Sequence, residues 1–223
     1  MAINKVKKES LKKKANQLVP KDLVFASTQN VSLVENRHQQ IVDGACRLFF
    51  KKGYHPTTMR EIANVCGMSI GQLYHYISCK EDILYLVLKH MQDVWYAYLK
   101  KTNIEQVDDP VQRLRKALNH SLKFMIENKK LVQFTYSESK YLDKKYYQAF
   151  IQLHHNNVVG FWRKLLDDLN NTGPIKDDLD FLSSLTDYIL AFLALSGWTI
   201  NEKENEKHAE AMIDFILRGL CVN

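Results

Sequence analysis

Between Thr58 and Ile77 the chain carries two helical segments, each too short to persist in isolation. Thr58 stands three residues before Glu61, the capping-box spacing in which hydroxyl and carboxylate each satisfy a backbone N–H. Met59, Ile62, Ala63 and Val65 then give about two turns before Gly67 ends the segment. Ser69 caps a second segment, Ile70 to Ile77, with Ile70, Leu73 and Tyr74 expected to face inward. Isolated helices shorter than about 12 residues are marginal in water, so both segments must pack on a longer helix. Such a helix precedes them. Ser32 and Glu35 repeat the capping-box spacing, and Val34, His38, Ile41, Ala45, Leu48 and Phe49 recur at three- and four-residue steps as far as Lys52, with Gly53 as the stop. One long and two short helices joined by a Gly-containing turn outline a helix-turn-helix unit.

Charge points the same way. Residues 1 to 84 hold 13 Lys/Arg against 7 Asp/Glu, whereas the remaining chain holds 18 of each, so the whole net charge of +6 sits in the first part. That asymmetry indicates a polyanionic partner at one end, either nucleic acid or an anionic surface. Much of it comes from Lys5, Lys7, Lys8, Lys12, Lys13, Lys14 and Lys21, in a stretch of residues 1–31 that reads either as a flexible solvated tail or as a basic arm along DNA.

The rest of the chain is helical in pattern. Eight glycines and four prolines in 223 residues leave too few turns for an all-β chain. A long segment from Lys80 carries Ile83, Leu84, Val87, Leu88, Met91, Val94, Trp95 and Leu99. Asp109 and Pro110 suit the N-cap and first helical position of a helix through Leu114, Leu118, Leu122 and Met125. Leu131 to Leu142 reads as a shorter helix, Asp143 to Leu169 as a long one, Asp177 to Trp198 as a helix apolar nearly all round and buried on most sides, and Glu204 to Cys221 as an amphipathic last helix. The fold class is therefore all-α: a helix-turn-helix domain over residues 32–84 and a helical domain over 85–223. No apolar run is long enough to span a bilayer, and Cys46, Cys66, Cys79 and Cys221 form no C-x-x-C pair, so a cytoplasmic chain with neither metal nor cofactor is expected.

The stretch Ile41 to Leu84 resembles the DNA-binding domain of TetR-type (tetracycline-repressor-like) transcriptional regulators. The likeness is carried by Ala45, Leu48-Phe49, Gly53-Tyr54, Thr57-Thr58-Met59, Glu61-Ile62-Ala63, Gly67-Met68-Ser69, Gly71, Leu73-Tyr74-His75-Tyr76 and Lys80-Glu81-Asp82. Two positions depart from the pattern. Ile77 stands where the family usually has Phe and can fill the same core site, while Cys79 replaces Asn, Ser or Asp and removes a helix cap.

A helix-turn-helix offers the first residues of its second short helix to base edges in the major groove. Here these are Ile70, Gly71 and Gln72, of which the Gln72 amide can pair with adenine and the other two can approach a thymine methyl. The resemblance implies that Thr58, Ser69, Tyr74, His75 and Lys80 hold phosphates. For Tyr74 a core position is an equal alternative. A (pseudo)palindromic operator in double-stranded DNA requires two heads about 34 to 36 Å apart, hence a homodimer. The resemblance places the dimer contact on the last two helices, at Leu185, Ile189, Phe192, Met212, Phe215 and Ile216, and the alternative is that these side chains fill the core of one chain. It also implies a small hydrophobic or aromatic effector held among the middle helices, for which Trp95, Phe124, Phe134, Tyr136, Tyr147, Phe150 and Phe161 are candidates, or else plain core. Such an effector would release a repressor from DNA by shifting the spacing of the two heads.

Rival readings are narrower. The segments Ser137 to Leu142 and Leu195 to Thr199 resemble family members that respond to acyl thioesters. Cys66 and Cys79 lie beside the recognition helix and suggest a redox response. No G-x-S-x-G, P-loop or H-E-x-x-H motif appears, and the adjacent His154 and His155 point to different faces, so no enzyme is expected. A non-catalytic interaction protein using the lysine stretch is the remaining alternative.

Overall fold

The computed structural model describes residues 24, 26, 27, 30–171, 175, 178–196 and 205–220. Residues 1–23 lie outside the described residues, and with them the reading of that stretch as tail or arm. Every element among the described residues is helical.

Among these residues ten α-helices follow in order: α1 (Val31–Lys52), α2 (Met59–Val65), α3 (Ile70–Tyr74), α4 (Lys80–Lys100), α5 (Pro110–Glu127), α6 (Lys129–Glu138), α7 (Lys144–His154), α8 (Gly160–Asn170), α9 (Leu179–Leu195) and α10 (Asn205–Leu220). Residues 1–90 and 137–153 make one compact unit, and residues 91–136 and 154–223 make a second. The sequence pattern gives no hint that Ser137–Leu153 joins the first.

In the first unit α1 begins two residues earlier than the Ser32 spacing suggests. Asn30 is the N-cap, its Oδ1 accepting from Leu33 N–H at 3.1 Å, and Ser32 Oγ donates to that same oxygen instead of capping. Asn ranks with Ser as a cap, so its position two residues upstream decides the matter. At the other end Gly53 has φ of 87° and ψ of 166°, a conformation open to glycine, and buried Thr57 donates to its carbonyl at 2.8 Å. Ile41, Val42, Ala45 and Phe49 are buried, as are Ile62, Ala63, Leu73 and Ile77, so Ile77 does occupy a core position.

The second unit has α5 as its spine. Asp109 Oδ1 accepts from Gln112 N–H at 2.7 Å with Pro110 at the first helical position, and Leu114, Leu118, Leu122 and Met125 are all buried. The long helix expected from Asp143 to Leu169 is interrupted. Asp143 does cap it, but His155–Val159 forms a π-turn that separates α7 from α8. Periodicity cannot reveal one extra residue in a turn. The core around Trp162 includes Trp95, Leu114, Leu118, Leu166, Leu190, Ile213 and Ile216.

Helix α9 departs from its expected burial. Its inner face, Leu190, Ala191, Leu193 and Ala194, is buried, but Phe181 and Tyr188 are each 62% exposed, with Leu185 and Phe192 also exposed between and beyond them. Positions 181, 185, 188 and 192 lie along one stripe at helical spacing. An all-round apolar helix in one chain therefore has one face left over. Among the described residues no helix is long and apolar enough to cross a membrane.

Candidate nucleic-acid interface

The helix-turn-helix is built from local hydrogen bonds held together by α1. Thr58 caps α2: its Oγ1 accepts from Glu61 N–H, and Glu61 Oε2 accepts from Thr58 N–H at 2.9 Å. Lys52 Nζ reaches both Glu61 oxygens at 2.7 Å. This cation, together with the Thr58 N–H, lowers the Glu61 carboxyl to about 2. Gly67 makes the turn at φ of 63°, where a side chain would be strained. Gly44 matters differently, since a Cβ there would collide with the Cys66 sulfur, so glycine lets α1 approach the turn closely.

Ser69 caps α3 in a second capping box, with Gln72 as its partner. Ser69 Oγ accepts from Gln72 N–H at 3.1 Å, and Gln72 Oε1 accepts from Ser69 N–H at 2.8 Å. The regular helix ends at Tyr74, three residues before Ile77, in tighter bonds from His75 N–H to Gln72 O and from Tyr76 N–H to Leu73 O. Only Leu73 of its side chains faces inward. Ile70 and Tyr74 are exposed, contrary to the expected pattern, because five residues make little more than one turn and a single buried position anchors it.

Several supporting residues were invisible in the pattern. His38 Nε2 donates to Tyr76 O at 2.8 Å, and Gln40 Nε2 donates to Cys66 O at 2.6 Å, so two α1 side chains hold the ends of the turn-and-helix. Ser27 N–H donates to His75 O at 2.8 Å, and Ser27 Oγ lies 3.2 Å from His75 Nδ1. At the start of α4 the half of a capping box that does not depend on the Cys79 side chain is present. Asp82, wholly buried, accepts from Ser78 N–H at 2.6 Å and Cys79 N–H at 3.2 Å through Oδ2, and its Oδ1 accepts from the Tyr146 hydroxyl. An Asp three residues after the candidate cap was the available signal.

Most of the anticipated contact residues are exposed. Ile70, Gly71, Gln72, Tyr74 and His75 are exposed on or just after α3, and Thr58 and Ser69 are exposed at the starts of α2 and α3. A Cβ at Gly71 would meet only Ser69 Oγ, at 3.9 Å, which leaves the surface open to close approach. Lys80 is partly committed: its Nζ donates to His55 O at 3.0 Å and lies 4.2 Å from the centre of the Tyr54 ring.

A family model described as "Bacterial regulatory proteins, tetR family" matches residues 41–85, the span just built. The regulator PfmR from Thermus thermophilus, a TetR family transcriptional regulator, superposes with a TM-score of 0.62 at 25% identity, covering 82% of this chain and 99% of its own. Residues 41–85 thus form a DNA-binding domain of the TetR family. The HTH-type transcriptional regulator HbdR from Aromatoleum sp. (strain CIB) is 40% identical over 82 residues, 37% of this chain, and the chain spans about a third of the length of that relative (35%). FadR from Bacillus subtilis, solved in complex with stearoyl-CoA, shares the fold with a TM-score of 0.68 at 18% identity, over 82% of this chain and 99% of its own.

The residues named for a ligand pocket lie in several aromatic contacts. Trp95 packs edge-on against Phe161 at 5.3 Å, Phe124 lies beside Tyr98, and Tyr136 meets Tyr188. Phe134 and Phe150 are buried, and Tyr147 is exposed. Tyr147 and Phe150 belong to the first unit, the other five to the second. A cavity of about 490 Å³ in the second unit is lined by Phe161, Tyr96 and Leu165 with Asp93, Arg113 and Lys164 among others, and Phe161 is the one anticipated residue in it. Inside the same unit the side chains of Gln92, Trp95, Ser121 and Trp162 are buried with polar atoms that find no hydrogen-bond partner among the described residues. Asp187, also buried, lies 3.2 Å from His154. Its charge and, more strongly, burial raise the Tyr136 hydroxyl well above the usual phenol range.

The residues named for a dimer divide by exposure. Leu185, Phe192 and Phe215 are exposed, Ile189 and Met212 are half-buried, and Ile216 is buried in the core of its own unit. Burial raises all three described thiols, Cys46 to about 11 and Cys66 and Cys79 above the ordinary value, so each holds little of the reactive thiolate. Cys221 lies outside the described residues. Among the described residues no three His, Cys, Asp or Glu side chains gather as a metal site.

Proposed function

We propose that this chain is a dimeric, sequence-specific DNA-binding repressor that a small apolar effector releases from its operator. The observation that carries the DNA reading is the exposed Ile70-Gly71-Gln72 edge on a helix whose start is closed by its own capping box and whose turn and exit are pinned by hydrogen bonds from other elements. Recognition requires such preorganisation, because a reading helix free to move would have to be ordered on binding. Gln72 Oε1 is engaged by Ser69 N–H, so Gln72 reads as a donor through Nε2, to an acceptor such as a purine N7. Thr58, Ser69, Tyr74, His75 and Lys80 position the head on phosphates.

The exposed stripe on α9, with Phe215 on α10 69% exposed, supports the homodimer, since apolar patches of this kind on a soluble chain mark interaction surfaces. Two facts support an effector in the second unit. FadR, which shares the fold, was solved with stearoyl-CoA. Gln92, Trp95, Ser121 and Trp162 are also buried polar groups of the kind a ligand with hydrogen-bond acceptors would satisfy. An acyl thioester has that chemistry. The raised thiols give no support to a redox response.

The test is fluorescence anisotropy on the DNA flanking the chain's own gene against a shuffled duplex at equal salt. Affinity about a thousandfold higher for the first is expected. Stearoyl-CoA added to the preformed complex should then lower the anisotropy. Equal binding to both duplexes, for this and every other genomic fragment tried, would overturn the reading.

A further inference from the structure

Helix α7 reaches the recognition helix through one buried carboxylate. Asp82 stands at the start of α4 and is wholly buried. Its Oδ2 holds the N–H groups of Ser78 and Cys79, the residues that follow the exit of α3, and its Oδ1 accepts from the hydroxyl of Tyr146 on α7. The Tyr146 ring packs beside Tyr85, 5.8 Å between centroids, so the hydroxyl is aimed by a buried aromatic contact. A second side chain of the same segment reinforces the attachment. Tyr141 packs edge-on against His55 at 4.0 Å and stacks on Tyr54 at 6.3 Å, just after the end of α1.

A buried carboxylate demands donors on both oxygens, because an uncompensated lone pair in the interior is costly. The two oxygens of Asp82 are rigidly joined, so a displacement of the Tyr146 hydroxyl turns the carboxylate and draws Ser78 and Cys79 with it. The other supports at that exit, from His38 to Tyr76 O and from Ser27 to His75 O, come from α1 and the residues before it and do not follow α7. Ser137–Leu153 is grouped with the first unit, yet the chain enters it from Tyr136 and leaves it at His154, both in the second. Directly after α7 comes the π-turn His155–Val159, a local irregularity of the sort found where helices adjust.

We propose that Tyr146 is a positioning residue: through Asp82 it holds the exit of α3 in the DNA-reading position, and a shift of α7 is passed to the recognition helix by this route. The proposal rests on the DNA-binding reading above and adds the path by which the head would be controlled.

The experiment compares Tyr146→Phe, Asp82→Asn and the double variant in the full chain, well below each melting temperature. Two quantities are read: operator affinity by anisotropy, and amide hydrogen exchange at Ser78 and Cys79. Tyr146→Phe should weaken operator binding about tenfold, the size expected for losing one hydrogen bond to a charged group. Exchange at Ser78 and Cys79 should quicken by a similar factor, while that of α5 stays unchanged. Because Tyr146 acts through Asp82, the double variant should bind no more weakly than Asp82→Asn alone. Gln148→Ala, at an exposed position of the same helix, should leave both quantities unchanged.

Unchanged or tighter operator binding by Tyr146→Phe, or additive effects of the two substitutions, would overturn the proposal. Should Tyr146→Phe fail to fold, Asp82→Asn carries the test, since it keeps an acceptor for Tyr146 and should still quicken exchange at Ser78 and Cys79; no change there is again a refutation. If the unaltered chain shows no preference for any DNA, the DNA-binding reading has failed, and the exchange measurement still decides separately whether Tyr146 holds the exit of α3.

Discussion

The two units treat their polar and apolar groups in opposite ways. In the first, the exposed ends of short helices are closed by residues three apart, and even the buried charge of Asp82 has donors on both oxygens. In the second, Gln92, Trp95, Ser121 and Trp162 are buried without hydrogen-bond partners among the described residues, and an apolar stripe on α9 faces outward. The first unit is thus internally satisfied, as a rigid reader of DNA should be. The second leaves apolar surface and buried polar groups unmatched, which under the function proposed above a second copy and a ligand would complete.

The largest expected effect tests the outward stripe. Phe192→Asp combined with Phe215→Asp should convert the protein to a monomer in sedimentation and reduce operator affinity at least about a hundredfold, since a single head contacts only half of a palindrome. A double variant that sediments like the unaltered protein would break the contrast at its outer surface. Next comes close packing in the first unit. Gly44→Val should cost about 3 kcal/mol in thermal or denaturant unfolding, because its side chain must displace the Cys66 sulfur from the α1 surface.

A matched pair of oxygen deletions sharpens the comparison further. Thr58→Ala removes a working cap and should destabilise by about 1 kcal/mol. Ser121→Ala removes a buried hydroxyl with no partner among the described residues, and its melting temperature should stay level or rise. A fall as large as that of Thr58→Ala would show that the Ser121 hydroxyl is satisfied in the free protein.

The smallest effect is in pH. Glu61 has its folded pKa lowered to about 2 from an ordinary value of 4.5. Its contribution is therefore fully present above about pH 4.5 and is lost as the pH falls through about 2. Acid titration of helical circular dichroism should show this loss in the unaltered chain, and Glu61→Gln should remove that part of the pH dependence.

Much of the first unit was legible because its signals are short-range. The Thr58 cap, the stop at Gly53 and the turn at Gly67 each depend on residues within a few positions, as does the Asp109 cap in the second unit, and the structure has them where the spacing indicates. The reading erred where two local options competed, as with Asn30 over Ser32, and where a helix was too short for periodicity to assign faces, as with Ile70 and Tyr74. The π-turn in the long helix and the exposed face of α9 were hidden for a different reason. Hydropathy records that a residue is apolar and leaves open what, if anything, covers it.

By itself the sequence determined the helices, the order in which they occur and the helix-turn-helix at the basic end, since these follow from capping, glycine conformations and periodicity within one segment. Tertiary structure alone decided that Ser137–Leu153 joins the first unit, that α9 keeps a face outward, and that Tyr146 meets Asp82. Those two residues are 64 positions apart, and their pairing depends on how separate helices pack in space, a relation that no local spacing encodes.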